Sequence, residues 1–226
     1  MNKSEKSLKE LVVENTKNTG VIPCIKLEKK GDFLAYADAM YKGGARIIEI
    51  TSTTPGVIEA IEAISDEYKD KLYVAAGTVL DPTTTREVIL HGGSLIVNPC
   101  VIPEVVDIAN RYQVPIFTGA FTPTEVFNAM KIGSTMVKIA PGSWGGPKYM
   151  TYLKMLFPNV DLMPSGGINT ENVADFIKCG ACAVSGARTF MNRERIAEEG
   201  IGWVTKQVSK FIEIIKEARK DLSELP

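Results

Sequence analysis

The 226 residues carry 26 basic and 27 acidic side chains, a formal net charge of −1, so no charge excess points to nucleic acid or an anionic membrane surface. Apolar residues at 45%, charged residues at 23%, 19 glycines and 12 prolines describe an ordinary folded chain and exclude disordered or collagen-like classes. No apolar run approaches the roughly 18 residues of a membrane span. The single histidine and four scattered cysteines offer neither a multi-histidine metal site nor a disulfide framework.

The chain opens on MNKSEKSLKELVVENTKN, charged throughout and without the apolar core of a signal peptide, which makes the cytoplasm the expected location. We expect residues 1–19 to form an N-terminal capping helix, amphipathic over 3–18, before a first strand VIPCIK at 21–26. The helical pattern FLAYADAMYKGG leads into a second strand within KGGARIIEI, 42–50. LYVAAGT, 72–78, is the third strand, after which Asp81 before Pro82 starts a helix. HGGSLIVNP, 91–99, carries the fourth strand and VPIFTG, 114–119, the fifth, with Thr122 before Pro123 as another helix start. KIGSTMVKI, 131–139, carries the sixth, VDLMPSGG, 160–167, the seventh, and Asn169 before Thr170 is the next helix start. KCGACAVSG, 178–186, carries the eighth, and residues 191–226 form a C-terminal tail, helical to 222. Eight apolar strands in unbroken alternation with helices fold as a parallel sheet, and at this length they close into one (β/α)8 TIM barrel domain over 1–226 with an extra N-terminal helix.

Four of these segments superimpose as an internal repeat, each with a glycine that suits a helix end, then a buried strand: the marker glycines are Gly44, Gly93, Gly133 and Gly180. The residue five after each marker sits near the C-terminal end of its strand, and these are Glu49, Asn98, Lys138 and Ser185, flanked by apolar residues. Alternate strands contribute to one layer of a barrel interior, so four polar side chains are expected in one layer at the mouth, where barrel enzymes keep their chemistry. Burying a lysine costs several kcal/mol unless it is paired or sheds its proton. One reading is a buried Glu49–Lys138 ion pair. The other is a neutral amine that attacks a carbonyl, with the resulting imine as electron sink and Glu49 moving protons.

A second group of residues suits an anion. PSGGIN (164–169) follows strand seven and SGAR (185–188) follows strand eight, the two loops with which barrels often bind phosphate. Gly166 and Gly167 let the backbone approach the oxygens, Arg188 adds a charge-assisted bond, and Ser165 or Ser185 a hydroxyl; a plain strand-to-helix turn is the alternative. Lys26 meets a substrate carboxylate or is a solvated lysine; Thr78 bonds substrate or caps a turn. Asn98 with Pro99, and Thr118 with Gly119, end strands four and five and should line the pocket. Trp144 with Gly145 and Gly146 reads as a flap or an exposed loop, His91 as a helix C-terminal cap, and the pair Cys179 and Cys182 as packing.

Taken together, GGARIIEIT, AAGTVLDP, LIVNP, VKIAP and PSGGIN resemble the 2-keto-3-deoxy-6-phosphogluconate/2-keto-4-hydroxyglutarate (KDPG/KHG) aldolase family, over about residues 20–190. The family patterns run GG-x-x-x-[IL]-E-[IV]-T, GAGT, [IV]-x-[ST]-P, K-x-[FL]-P and P-[TS]-GG in this order. The resemblance implies a homotrimer of (β/α)8 barrels with no cofactor and no metal, Lys138 as the Schiff-base lysine and Glu49 as general acid/base. It places Thr78 near the substrate and gives the phosphate to Gly166, Gly167, Gly186, Ala187 and Arg188. It implies reversible cleavage of a 2-keto-3-deoxy-6-phospho sugar acid to pyruvate and glyceraldehyde 3-phosphate, or of 2-keto-4-hydroxyglutarate to pyruvate and glyoxylate. The partners are thus small molecules, with neither nucleic acid nor membrane among them. Lys26 and Thr53 stand where other members carry arginines, so the pyruvyl carboxylate falls to Lys26, which lacks the bidentate arginine fork. Ala140 replaces a large residue and opens the pocket beside Lys138.

Competing readings are another phosphate-binding barrel, such as an epimerase or decarboxylase, a metal-dependent aldolase, and a non-catalytic metabolite-binding barrel. The first wants Asp/His or Asp-Lys-Asp clusters that are missing near Glu49 and Lys138, and the second wants more than one histidine.

Overall fold

Strands with no solvent-facing side must be apolar on both faces, and the eight found here are short and almost wholly buried. The computed structural model describes residues 6–223. They are β1 (Val21–Ile25), β2 (Ile47–Thr51), β3 (Tyr73–Gly77), β4 (Leu95–Asn98), β5 (Ile116–Ala120), β6 (Met136–Ile139), β7 (Leu162–Pro164) and β8 (Val184–Gly186). All pair in parallel in the order β7-β6-β5-β4-β3-β2-β1-β8. A bridge between Ser165 and Ser185 joins the two ends of that order, closing the (β/α)8 TIM barrel. The helices are α1 (Leu8–Thr19), α2 (Phe33–Lys42), α3 (Val57–Tyr68), α4 (Pro82–Leu90), α5 (Pro103–Arg111), α6 (Pro123–Lys131), α7 (Gly142–Leu156), α8 (Val173–Lys178), α9 (Arg193–Glu199) and α10 (Gly202–Ser223).

Local chemistry sets the boundaries. The Asp81 carboxylate accepts the Thr84 N–H at the start of α4, and Thr122 with Glu125 forms a reciprocal capping box at the start of α6; proline opens both helices. His91 caps α4, its Nδ1 2.8 Å from the Glu87 carbonyl. Gly44, Gly133 and Gly180 take positive φ (102°, 91° and 96°) where a helix turns into a strand. In the fourth-strand repeat the positive φ belongs to Gly92 (90°) rather than Gly93, a slip of one residue.

Two apolar cores result. The inner one fills the barrel with Ile22, Ile47, Tyr73, Leu95, Val97, Phe117, Met136 and Met163, and Val12 of α1 joins it from below with no exposed surface. The outer one lies between sheet and helices and includes Ile48, Ile96, Ile116 and Val137. Arg219 of α10 donates hydrogen bonds to the carbonyls of Asn18 and Cys182, tying both chain ends to the barrel floor.

Some boundaries differ from expectation. The N-terminal helix starts at Leu8 behind a Ser7–Glu10 capping box, and residues 1–5 lie outside those described. The helical tail consists of two helices, separated at Gly200 (φ 75°), with residues 224–226 outside those described. Asn169 does not start a helix: its side-chain Oδ1 accepts the N–H groups of Glu171 and Asn172, and α8 begins at Val173. Trp144 and Gly145 sit in a helical turn at the head of α7, broken at Gly146 (φ 67°).

Candidate active site

Alternation along each strand decides which side chains enter the barrel. Ile47 and Met136 point inward, so Glu49 on β2 and Lys138 on β6 do too, one layer nearer the mouth. Lys138 Nζ stands 3.6 Å from Glu49 Oε2; the glutamate side chain is 2% exposed and the lysine 13%. At an effective dielectric of about 20 this attraction is roughly 4 kcal/mol, which only offsets the several kcal/mol needed to desolvate each ion. The pair adds little net stability, and a buried charge pair of that kind at a barrel mouth fits chemistry better than scaffolding. Glu49 Oε2 accepts no hydrogen bond, which leaves a lone pair facing the lysine.

Gly77, at the end of β3, makes room for this carboxylate: a Cβ there would lie 1.9 Å from Glu49 Oε1. On the other side Cys24 is in register with Glu49, and its Sγ lies 3.2 Å from the Ser185 Oγ. Burial above all, then the charge of Glu49, pushes the Cys24 thiol up. Sequence reasoning missed both Gly77 and Cys24. Gly77 belongs to the AAGT motif, and Cys24 follows the inward residue Ile22 by two positions, so strand periodicity carried a signal for each.

The layer holds three of the four expected polar residues. Asn98 turns to the other face with Ile96, while Leu95 and Val97 face inward. The cause is the glycine slip: counted from Gly92, the fifth residue is Val97. Asn98 is fully buried in register with Thr118, and the Asn98 amide and Thr118 hydroxyl have no hydrogen-bond partner. Pro99 and Gly119 do meet at the mouth: a Cβ on Gly119 would lie 2.1 Å from the Pro99 carbonyl carbon, and Gly119 is in register with Lys138.

The loops after β7 and β8 enclose a cavity of about 320 Å³ lined by Gly166, Gly167, Asn169, Gly186, Ala187 and Arg188. Gly166 and Gly167 take φ of 88° and 75°, and a Cβ on Gly167 would lie 2.2 Å from the Ser143 Oγ. The turn is pinned to the head of α7 by Gly142 N–H donating to Ser165 O (2.7 Å) and Ser143 N–H to Gly166 O (3.0 Å). Ser165 itself is buried. Because α8 starts late and has a single turn or so, the loop backbone and Arg188, rather than a helix terminus, are the groups available to an anion.

Lys26 lies one residue past β1 and shares an adjoining cavity of about 350 Å³ with Ala187, Arg188 and Arg193. Among the described residues neither Lys26 nor Arg188 forms an ion pair, whereas Arg193 is held by Glu28 at 2.8 Å. Thr53 and Thr78 share a third cavity, of about 330 Å³, with Ser52 and Asp81; Ser52 Oγ donates to the Thr78 carbonyl at 2.7 Å. The structure thus gathers Lys26 with the anion loops and sets Thr53 and Thr78 apart, beyond β2 and β3. Trp144 is 80% exposed. The thiols of Cys179 and Cys182 are pushed by burial up to about 11 and about 12 and contact the Phe176 and Leu162 carbonyls, an arrangement of packing. Among the described residues no group of three or more His, Cys, Asp or Glu side chains is arranged to hold a metal ion, and no helix is long and apolar enough to cross a membrane.

A family model described as KDPG and KHG aldolase matches residues 12–207. The 2-dehydro-3-deoxy-6-phosphogalactonate aldolase of Escherichia coli (strain K12) is 33% identical over 186 residues, covering 82% of this chain and 89% of that protein. The 2-dehydro-3-deoxy-phosphogluconate aldolase of Haemophilus influenzae is 28% identical over 209 residues, covering 91% and 97%. A solved structure described as native KDPGal superposes with a TM-score of 0.81 at 30% identity, covering 88% of this chain and 96% of that one.

Proposed function

The chain belongs to the KDPG and KHG aldolase family, a family of carbon–carbon lyases, and from that premise we propose that Lys138 forms an imine with a 2-keto acid while Glu49 moves the protons. The observation that carries this is the 3.6 Å approach of Lys138 Nζ to a Glu49 oxygen that has no other partner. The amine adds to the C2 carbonyl, and loss of water leaves the iminium. Glu49 takes the proton of the C4 hydroxyl as the C3–C4 bond breaks, and the electron pair moves into the iminium to give an enamine and a free aldehyde. Protonation at C3 and hydrolysis then release pyruvate and restore the lysine.

The substrate class follows from the mouth. Gly166, Gly167, Gly186, Ala187 and Arg188, which line one cavity from which the buried Ser165 is absent, would hold a terminal phosphate, which favours a 2-keto-3-deoxy-6-phospho sugar acid, yielding glyceraldehyde 3-phosphate, over hydroxyglutarate, yielding glyoxylate. The cavity that Lys26 shares with Arg188 supports giving Lys26 to that distal anion in preference to the pyruvyl carboxylate. Pro99 and Gly119 border the lysine, and Thr53 and Thr78 contact substrate only across the β2–β3 rim. No cofactor enters this reaction. The gluconate- and galactonate-derived sugars differ in configuration at C4, and lyase assays on both decide between them.

We place the protein in the cytoplasm as a homotrimer. Four free thiols support a reducing compartment, and the exposed Phe127, Met130, Tyr152 and Met155 of neighbouring α6 and α7 support association. Borohydride reduction with pyruvate, followed by peptide mass spectrometry, tests the central step. A stable adduct on the Lys138 peptide, absent from Lys138→Met, is the expected result. No adduct at excess pyruvate, or full lyase activity in Lys138→Met, overturns the reading and favours a metabolite-binding barrel.

A further inference from the structure

The wall around Glu49 contains one polar side chain that the reaction above leaves idle. Cys24 is 3% exposed and in register with Glu49 on the adjacent strand. Its Sγ lies 3.2 Å from the Ser185 Oγ on β8, and its other contact, to the Ile22 carbonyl, is a long 3.7 Å. Glu49 is walled by Gly77 on its far side and faces Lys138 across the mouth. Ser185, Cys24, Glu49 and Lys138 therefore form one line of polar side chains running from the start of the anion loop to the lysine.

We infer that Cys24 is a positioning residue for Glu49: its S–H donates to the carboxylate, and the Ser185 hydroxyl donates to the sulfur. This holds Glu49 with Oε2 turned to Lys138. The inference rests on the imine reading. Burial and the neighbouring carboxylate both push the thiol up, so the sulfur keeps its proton and remains a donor at working pH. A thiol is a weak donor, but in a buried site even one modest hydrogen bond restricts where a carboxylate can rest. Valine in its place fills a similar volume without a donor, and serine keeps the donor.

Two pyruvate reactions separate the roles. Exchange of the methyl protons in deuterium oxide, followed by NMR, requires proton transfer; borohydride trapping at Lys138 requires only the imine. Cys24→Val is expected to slow exchange about three- to tenfold, the worth of one net hydrogen bond, with trapping unchanged. Cys24→Ser should return to within about twofold of wild type, and Ser185→Ala should slow exchange in the same direction by less. Exchange in Cys24→Val within about twofold of wild type overturns the inference while leaving the imine reading intact. Parallel loss of exchange and trapping that serine does not rescue also overturns it, since that is the mark of a merely structural residue. A wild-type protein that neither traps pyruvate nor exchanges its protons overturns the imine reading and this inference with it.

Discussion

Gly77→Ala adds one methyl group at the most crowded point of the site. The new Cβ would lie 1.9, 2.5 and 2.8 Å from Glu49 Oε1, Cδ and Cγ, where ordinary contact begins near 3.4 Å. Glu49 is 2% exposed and has Cys24 on its other side, so the carboxylate has to retreat by about 1.5 Å along the barrel axis or out of its rotamer. Displacement of a catalytic group by about 1 Å can cost on the order of a hundredfold in rate, whereas overpacking costs only about 1–3 kcal/mol of stability. Gly77 does not adopt a positive φ, so no backbone strain is added. The expected outcome is a fall in kcat of about a hundredfold with a folded protein that still traps pyruvate. A lactate dehydrogenase-coupled assay reads pyruvate release, and circular dichroism reads the melt. Gly202→Ala, where a Cβ meets nothing within 4 Å, is the control. A Gly77→Ala enzyme with kcat within about threefold of wild type would refute the placement of Glu49 in the proton path.

Other outcomes follow from the same geometry. Arg188→Ala should raise KM for a phosphorylated substrate about tenfold, the loss of one charge-assisted bond, and leave an unphosphorylated aldehyde acceptor unaffected; equal effects on both would remove Arg188 from the anion site. Val12→Ala empties part of the barrel floor and should cost about 1–3 kcal/mol, read as a melting temperature several degrees lower with kcat unchanged. Burial lifts the Cys179 and Cys182 thiols to about 11 and about 12, above the 9.0 of an ordinary thiol. Their folded state is favoured fully below about 9, and that advantage is lost as pH rises through the folded values, because the unfolded thiols ionise first. Melting temperature should therefore fall between pH 9 and 11, and a Cys179→Ala/Cys182→Ala variant should show a shallower fall; identical slopes would count against buried thiols as the cause.

The barrel was legible because its strands are buried on both faces and read as apolar runs between capped helices, with Asp81 and Thr122 each standing directly before a proline. Lys138 was legible for the opposite reason: a charge inside such a run has no cheap structural explanation. The doublet glycines were the weak point. Gly92 and Gly93 look alike in sequence, but which of them takes the left-handed turn decides whether Val97 or Asn98 faces the lumen, and a slip of one residue reverses every side chain. Asn169 misled similarly, since an Asn that closes a turn on Glu171 and Asn172 has the same appearance as one that caps a helix. Gly77 and Cys24 stand on the inward period of their strands, which was legible, but what each does depends on Glu49 on the neighbouring strand, and a single strand's pattern does not name that partner.

The helix that seals the barrel floor has a kinetic consequence. With Val12 and its neighbours filling one end, a molecule in the barrel has a single doorway, and that doorway is lined by the anion loops. In the proposed reaction the aldehyde lies outward, toward Arg188, while the three-carbon fragment is bonded to Lys138 beneath it. Traffic is then single file: the aldehyde leaves first and pyruvate last. In the reverse direction pyruvate must enter before the aldehyde closes the door behind it.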